Sequence, residues 1–411
     1  MQSKVNIWRD FDFALFGVTL LLVIIGILFI RSATLDAVDT DLINRVPSQI
    51  QFTIIGIGVV FGVASLDYRL LGSLHGFLYG FILFILGLVA GLGAVGAAGA
   101  QSWLNVGLQV QPAELGKMLL VITLGQHLTD RYEKMDRLRT VLLSLLHVAI
   151  PAAMIFVQPD LGTATVIMFV WFVMVWAAGL RFKHLALFVV VGLAMLPILW
   201  ANMEDYQRQR ITTFISTGES CWDDPELVRS GECVFTDEDG NGIPDTKDAR
   251  YNIDQALISI GSGGMLGKGY GNGSQTQGRF LRVRHTDFIF SVIAEETGFV
   301  GAMTVIVLMG IVIWRCLRGA ALAADPLGSL ICYGVGGMIF FQTMVSIGMN
   351  LSILPVTGLT LPFFSAGGTS LFVSMLAAGL LLNVSRRAVT APRAERTKSI
   401  KRPRRLRPAL A

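Results

Sequence analysis

Charged side chains are scarce in this chain of 411 residues, where Asp, Glu, Lys and Arg together make up 15% of the sequence. A soluble globular protein normally has about 25% charged residues. Hydrophobic residues make up 53% of the chain. This balance excludes an ordinary soluble protein and indicates an integral membrane protein.

Cysteine is also scarce, and the 4 cysteines show no C-x2-C spacing of a zinc site. Cys221 and Cys233 flank a short loop, and we predict a disulfide between them if that loop faces an oxidising compartment. Cys316 and Cys332 lie in or beside apolar segments, so we interpret them as packing residues.

A cleavable secretory signal is not indicated, because the first apolar run (Phe13–Ile30) is longer than a signal core and many others follow. In all, ten segments have roughly the 17–25 residues that a membrane-spanning helix needs. We therefore predict an all-α integral membrane protein with ten transmembrane helices. The segments lie near residues 13–31, 49–66, 74–96, 110–128, 140–158, 160–180, 184–201, 287–314, 327–350 and 359–384.

Positive charge predicts the orientation, because Lys and Arg in short loops stay on the cytoplasmic side. Basic residues occupy alternate connections, and Arg45 is the exception among the short outer loops. Both termini are therefore expected in the cytoplasm. Residues 1–387 form the membrane domain, and residues 388–411 form a basic tail. That tail is either a topology signal that touches anionic membrane lipid or a partner site.

One predicted outer connection is long, running over residues 202–286. Unstructured loops longer than about 12–15 residues are usually functional or disordered. We therefore expect the function of the protein on the outer face, in this loop. Within it, residues 216–250 form an acidic stretch.

Several polar residues of this loop suit an anionic headgroup such as a lipid phosphate or pyrophosphate. The alternative is ordinary contact of basic side chains with phospholipid headgroups. A glycine-rich segment (Gly261–Gln275) would let backbone N–H groups approach the anion, or it is a flexible surface loop. The candidate ligands are Arg208, Arg210, Lys268, Gln275, Arg284 and His285.

Asp287 is an acidic residue at the mouth of a predicted span, beside His285 and Arg284. Thr286 or Asp287 could cap the helix that follows. Asp287 could instead act as a general base where the bilayer meets water.

Four ionisable residues lie inside predicted spans: Glu114, Lys117, Glu295 and Glu296. Glu114 and Lys117 are three residues apart and can pair on one helix face. Charged groups at membrane depth suggest function by default. Two interpretations compete here: a proton or ion relay, as in a transporter, or a structural network beneath an outer active site.

The acidic stretch contains the spacing of a calcium-binding loop, with Gly242 at the position of the sharp turn. The twelfth position is Asp and not the usual bidentate Glu, and a solvated acidic loop is the alternative. The predicted ligands are the side chains of Asp237, Asp239, Asn241, Asp245 and Asp248 and the backbone carbonyl of Ile243.

Six segments in order carry a family resemblance: Gly99–Leu120, Gln158–Ala164, Tyr206–Phe214, Gly261–Gln275, His285–Gly301 and Leu354–Leu371. Together they resemble the SEDS family of cell-wall polymerases over roughly residues 10–387. The sequences YQRQRI and LPVTG are more similar to the elongation branch, typified by RodA, than to the division branch, typified by FtsW.

The resemblance implies ten transmembrane helices in the bacterial inner membrane and a peptidoglycan glycosyltransferase that uses lipid II. It places the essential carboxylate at Asp287, an outer-loop tryptophan at Trp103 and the paired charges of the fourth span at Glu114 and Lys117. It also implies a class B penicillin-binding protein as partner. A divalent cation, Mg or Mn, is expected to assist catalysis.

The sequence departs from the family pattern at three places, and the largest is the acidic stretch of residues 216–250, which looks like an insertion. The other two are short. Arg-Val-Arg precedes His285 where many members have Pro-Glu, and Ser102 stands where many have Arg. These departures bear on the headgroup contacts and leave Asp287 in place. A lipid II flippase is the alternative function, supported by the intramembrane charges, but the sequence lacks the matching halves of many transporters. We expect no nucleic-acid partner.

Overall fold

The computed structural model describes residues 11–35, 45–92, 94–95, 101–105, 109–158, 160–201, 249–281 and 284–390. Within these residues the chain is helical apart from a small sheet and connecting turns. The helices are α1 (Phe13–Ala33), α2 (Arg45–Ser65), α3 (Tyr68–Ser73), α4 (His75–Leu92), α5 (Pro112–Thr129), α6 (Leu138–Val157), α7 (Leu161–Ala177), α8 (Phe182–Ala201), α9 (Ala249–Gly263), α10 (Ser274–Gln277), α11 (Ile289–Leu322), α12 (Pro326–Asn350) and α13 (Gly368–Thr390).

The predicted multi-pass helical membrane architecture is confirmed in outline. Each of the ten predicted spans overlaps one of these helices. Six of them, α1, α2, α6, α11, α12 and α13, are long and apolar enough to cross a membrane. Shorter apolar helices cover His75–Val89, Leu161–Ala177 and Phe182–Met195. Helix α5 is less apolar because it carries Glu114 and Lys117.

A small antiparallel sheet follows α4 and was not predicted. The third predicted span extended to residue 96, but α4 ends at Leu92 and strand β1 (Ala94–Val95) follows. Strand β2 (Gln101–Asn105) pairs with β1 and with β3 (Gln109–Val110). The glycine-rich sequence at this point disfavours a helix, since each Gly costs about 1 kcal/mol relative to Ala.

The last predicted span began too early. Residues 351–367 are non-helical, and α13 begins only at Gly368. Pro355 and Pro362 lie in this segment, and proline both lacks an N–H and disfavours a helix in the residue before it. The segment packs against the start of α11, where the candidate site lies.

Helices α12 and α13 are the most enclosed of the long helices, and α12 contacts α5, α7, α11 and α13. Small residues let these helices approach closely, as Gly336 does against Cys316. Cys316 and Cys332 are buried free thiols, which confirms that they pack in the core.

Part of the predicted outer loop is folded. Helix α9 packs against α11 and α12 and buries Ile253, Ala256 and Ser259. Residues 202–248 of the predicted loop lie outside the described residues.

Candidate active site

Asp287 lies in a turn, half-buried, two residues before α11 begins. The residue at the cap position of α11 is Phe288, which makes no side-chain cap hydrogen bond. Instead, Asn350 of α12 accepts a hydrogen bond from the Ser291 N–H at 3.1 Å. The cap position therefore falls at Phe288 and not at Thr286 or Asp287, and α12 supplies an acceptor for one N–H of the first turn.

Arg284 is buried three residues before Asp287 and makes no ion pair with a described residue. Its Nε donates to the Ala33 carbonyl at the end of α1 at 2.6 Å, and its Nη1 donates to the Leu281 carbonyl at 3.2 Å. A cation at a helix C-terminus is favourable because the carbonyls there carry partial negative charge. Burial, and then Arg279, lowers the pKa of Arg284.

His285 is a neutral imidazole at physiological pH. Burial, followed by repulsion from Arg45 and Arg284, lowers the pKa of His285 to about 4. Its carbonyl accepts from the Ala366 N–H at 2.9 Å. A neutral ring beside Asp287 adds no further positive charge to a turn that already holds Arg284.

Arg45 is a candidate site residue that the sequence analysis did not select. It begins α2, lies close enough to repel a charge on His285, and its Nε is buried without a hydrogen-bond partner among the described residues. The signal was present, since Arg45 is the one basic residue that breaks the positive-inside pattern of the short loops.

Helix α11 is interrupted at Gly298, and the glycine-rich segment forms hydrogen bonds with the helix on both sides of the interruption. Gly298 has a left-handed backbone (φ 68°, ψ −165°) that glycine adopts readily. The N–H groups of Lys268 and Gly269 donate to the carbonyls of Glu295 and Glu296 at 3.0 and 2.9 Å. The carbonyls of Gly264 and Met265 accept from Phe299 and Val300 at 2.8 and 3.2 Å. The segment thus replaces the broken hydrogen bonds of the helix and is not a free loop.

Glu295 is fully buried and saturated with donors. It pairs with Lys268 Nζ at 2.9 Å and accepts from the Gln275 N–H at 2.8 Å. Thr276 adds its N–H at 3.1 Å and its hydroxyl at 2.8 Å. Lys268 Nζ also donates to Ser262 and Ser274. Lys268 therefore joins the glycine-rich segment to Glu295 of α11, a role that we did not predict from the sequence.

Glu296 differs from its neighbour. It accepts a hydrogen bond from the Ser32 hydroxyl, while its Oε2 has no partner among the described residues. Two side chains of the glycine-rich region also reach α1: Tyr270 donates to the Leu28 carbonyl at 2.8 Å and Gln277 to the Ser32 carbonyl at 3.2 Å. Glu296 thus belongs to a junction between α1 and α11.

Glu114 and Lys117 form a buried ion pair of 2.6 Å on α5, as their spacing predicted. Two buried ion pairs, this one and Lys268–Glu295, therefore account for three of the four ionisable residues predicted inside the spans. A proton relay needs groups that exchange partners, whereas both pairs are closed within the described structure.

Comparisons with known proteins identify the family. The family model described as "Cell cycle protein", which covers FtsW, RodA and SpoVE, matches residues 12–390. Stage V sporulation protein E of Bacillus subtilis is 33% identical over 91% of this chain and 97% of its own length. Peptidoglycan glycosyltransferase MrdB of Escherichia coli is 31% identical over 89% of this chain and 92% of its own. The chain belongs to the SEDS family.

Solved structures agree with this assignment. The rod shape determining protein RodA of Thermus thermophilus matches with a TM-score of 0.64 at 31% identity, covering 92% of this chain and 98% of that one. A chain from a peptidoglycan synthase complex, described as coordinating polymerization and crosslinking, matches with a TM-score of 0.75 at 30% identity. It covers 93% of this chain and 100% of that one. The fold of this SEDS-family chain is therefore RodA-like.

Other residues implied by the SEDS resemblance are only partly placed. Trp103 lies in β2, where its backbone pairs with Ala94. The described residues contain no group of three or more His, Cys, Asp or Glu side chains that could hold a metal ion. The remaining predicted site residues lie outside the described residues: Arg208, Arg210, Cys221, Cys233, Asp237, Asp239, Asn241, Ile243, Asp245 and Asp248.

Proposed function

We propose that this SEDS-family chain is a peptidoglycan glycosyltransferase that polymerises lipid II into glycan strands for cell-wall elongation. The observation that carries the proposal is the placement of Asp287, a half-buried carboxylate held at the start of an apolar helix beside a neutral His285. The family membership and the names of its relatives support the reaction class.

Asp287 acts as the general base in this proposal. Its carboxylate takes the proton of the 4-hydroxyl of the GlcNAc sugar on one lipid II molecule. The hydroxyl oxygen then attacks the anomeric carbon of the MurNAc sugar on the growing chain, and the bond to undecaprenyl pyrophosphate breaks. A single displacement on an α-linked donor gives the β-1,4 product, so no enzyme nucleophile is required.

The leaving pyrophosphate carries negative charge that nearby cations would stabilise. Arg45 and Arg284 lie beside the turn that carries Asp287, and neither has a carboxylate partner among the described residues. Arg208 and Arg210 of the predicted outer loop are further candidates, with Arg210 preferred because it lies in YQRQRI. Trp103, Gln275 and His285 complete the proposed substrate contacts.

A divalent cation, Mg or Mn, remains part of the proposal only as a partner of the pyrophosphate. Mg²⁺ is commonly held by one or two carboxylates together with substrate phosphates. Arg45 and Arg284 lie close to His285, and the described residues contain no group of three or more His, Cys, Asp or Glu side chains that would hold the cation without substrate. No step of the mechanism is therefore routed through the metal.

The membrane topology belongs to the same proposal. Ten helices cross the bacterial inner membrane with both termini in the cytoplasm, which places Asp287 and the long loop on the outer face. The distribution of Lys and Arg supports this orientation, and the ten helices that overlap the predicted spans support the count. The outer face is where lipid-linked sugars for wall assembly are consumed.

Transport of lipid II is the alternative function, and a division role of the FtsW type is the alternative within the family. Transport drew its support from charges at membrane depth. Both ion pairs, Glu114–Lys117 and Lys268–Glu295, are internally satisfied, which favours a structural network beneath an active site. Names of relatives support either an elongation or a division role, and the similarity of YQRQRI and LPVTG to the elongation branch favours elongation.

A membrane-anchored class B penicillin-binding protein is the proposed partner, since glycan strands need cross-linking. The likeness to a chain from a complex that coordinates polymerization and crosslinking supports this pairing. Copurification from the native host, with stimulation of polymerisation, tests it. Full activity without any association would contradict a dedicated pair.

The acidic insertion is proposed to bind calcium and to order the outer loop, with a disulfide between Cys221 and Cys233. Its oxygen ligands need a cation if they converge, and weak extracellular sites have Kd values of about 10⁻⁴–10⁻³ M. Calcium should protect the loop from protease, and Asp239→Ala with Asp245→Ala should abolish that protection while sparing activity. Equal protection of the double variant would place the metal elsewhere.

Polymerisation of purified lipid II by the wild type and by Asp287→Asn tests the proposed function. The asparagine has nearly the same shape but cannot accept the proton, so a folded variant should form no glycan strands. Removing a general base costs about 10²–10⁴-fold in rate. Movement of lipid II across vesicles by both proteins, with polymer formed by neither, would favour transport instead.

A further inference from the structure

The backbone that carries Asp287 is held at three successive carbonyl oxygens. The Ala366 N–H donates to the His285 carbonyl at 2.9 Å, and the Ser365 hydroxyl donates to the Thr286 carbonyl at 2.7 Å. Asn350 Nδ2 donates to the carbonyl of Asp287 itself at 2.9 Å. All three donors come from the end of α12 and the non-helical segment after it, which therefore fix the turn before α11.

Asn350 uses its whole hydrogen-bonding capacity. Its Nδ2 also donates to the Ser346 carbonyl at 2.7 Å, and its Oδ1 accepts from the N–H and the hydroxyl of Ser291 at 3.1 and 2.6 Å. An amide group offers two donors and two acceptor positions, and all four are occupied here. The side chain is 0% exposed, so no water can substitute for a missing donor.

Ser365 forms the second anchor. Its buried hydroxyl donates to Thr286 and accepts from the Leu361 N–H at 2.8 Å, so one oxygen joins the turn to the non-helical segment. The same segment passes over the carboxylate. A Cβ added at Gly358 would have Asp287 Oδ2, 4.0 Å away, as its nearest heavy-atom neighbour.

We propose that Asn350 and Ser365 are positioning residues that aim the Asp287 carboxylate at the acceptor hydroxyl. This inference rests on the general-base role proposed above for Asp287. With three neighbouring carbonyls fixed, the carboxylate can move only about its own side-chain torsions. A misplacement of about 1 Å at a reacting group can cost about 10²-fold in rate.

The chain offers matched controls at the opposite end of the bundle. Asn383 is also fully buried, and its Nδ2 donates to the carbonyls of Val63 and Leu66, both at 2.6 Å. Ser144 is a buried serine that donates to the Val141 carbonyl at 2.7 Å and accepts from Trp171 at 3.1 Å. Loss of either control group removes a buried hydrogen bond without touching the turn of Asp287.

The experiment makes the same chemical change at both ends: Asn350→Asp against Asn383→Asp, and Ser365→Ala against Ser144→Ala. Each full-length variant is purified with its membrane domain intact, and kcat, KM for lipid II and thermal stability are measured. We expect Asn350→Asp and Ser365→Ala to lower kcat by about 10²-fold with little change in KM. Asn383 Oδ1 also accepts from Arg387 Nε at 3.2 Å, so the two Asn→Asp variants need not lose equal stability. The two controls should keep kcat per folded molecule within about twofold whatever stability they lose, since a loss of stability changes the folded fraction and not the chemistry.

Two outcomes would overturn the inference: kcat unchanged in Asn350→Asp and Ser365→Ala, or kcat lowered equally in the controls. If Asn350→Asp does not fold, the Ser365→Ala and Ser144→Ala pair decides alone. Asp287→Asn, measured beside them, separates the two levels of the argument. An active Asp287→Asn removes the proposed base, whereas an inactive one beside fully active Asn350→Asp and Ser365→Ala removes only the positioning role.

Discussion

The two ends of the helical bundle differ in whether their arginines are paired with carboxylates. At the end where α12 begins, each of three carboxylates caps a helix and also forms an ion pair: Asp12 with Arg315, Asp67 with Arg387 and Asp325 with Arg69. At the end where α11 begins, Arg45 and Arg284 have no carboxylate partner among the described residues. Paired charges hold helix ends in place, whereas cations without such partners can bind an anion.

This difference predicts which substitutions change the stability of the fold and which change the reaction. Breaking one of the partly exposed pairs at the α12 start costs about 0–1 kcal/mol of folding free energy. Losing the carboxylate that caps the helix costs about 1 kcal/mol more. Removing Arg45 or Arg284 at the α11 start breaks no ion pair with a described residue, so the effect should fall on substrate binding.

The largest effect on stability is expected from breaking the Lys268–Glu295 pair, because Glu295 is 0% exposed. Glu295→Gln should lower the free energy of unfolding by about 3 kcal/mol, since it leaves Lys268 without its counter-charge. Glu296→Gln should cost much less, because Glu296 has no cationic partner among the described residues and the amide oxygen can still accept from Ser32. Thermal unfolding in detergent compares the two neighbours. A larger loss for Glu296→Gln would contradict the assignment of roles.

The next effect concerns Arg45. Arg45→Gln should raise the KM for lipid II about tenfold while leaving thermal stability nearly unchanged, because a charged hydrogen bond to substrate contributes about 1.5–3 kcal/mol. Arg315→Gln is the matched control, since Arg315 pairs with Asp12 at 2.8 Å at the opposite end. That variant should lose stability and keep its KM. The comparison of the two ends fails if both variants change the same quantity.

A smaller effect is the pH dependence that His285 imposes on stability. The pKa of His285 in the folded chain is about 4, below its ordinary value of 6.5. The unfolded chain therefore binds the proton first, and stability contributed by His285 is present above pH 6.5 and is lost as pH falls towards 4. Melting temperature from pH 8 to pH 5 should fall more steeply in the wild type than in His285→Gln. Equal slopes would show that His285 is not held neutral.

The smallest effect is expected at Arg181 and Asp136. Their ion pair is 3.2 Å long, and the two side chains are 53% and 49% exposed. Such pairs contribute about 0–1 kcal/mol. Arg181→Ala should therefore leave melting temperature and polymerisation close to wild type, and a loss of activity would mean that charge at this end also serves the reaction.

The helical architecture could be predicted because apolar run length is a local property of sequence. The segment around residues 13–31 appears as α1 within two residues at its C-terminal end. The predicted bounds of the helices were wrong where the local composition did not indicate the end or the start of a helix. Glycine-rich sequence after Leu92 forms a strand, and the apolar sequence from residue 359 stays non-helical around Pro362 until Gly368.

The site could be predicted only in part, since its contacts join residues that are distant in the chain. The ion pair of Glu114 and Lys117 follows from helical spacing, whereas the partner of Glu295 lies 27 residues earlier. Asn350 is 63 residues from Asp287, and no local pattern links the two. The hydrogen bonds that the glycine-rich segment donates to α11 also cannot be predicted from the hydrophobic periodicity of the sequence.

The most direct test of the account compares Asp287→Asn with Asp325→Asn in polymerisation of purified lipid II, at equal amounts of folded protein. Asp325 caps α12 and accepts from Tyr68 and Arg69 at 2.7 and 2.8 Å, so it matches Asp287 in chemistry but lies at the opposite end. The account predicts that Asp287→Asn is folded and forms no glycan strands, while Asp325→Asn is less stable and keeps its rate per folded molecule. Near wild-type polymerisation by Asp287→Asn would contradict the central claim.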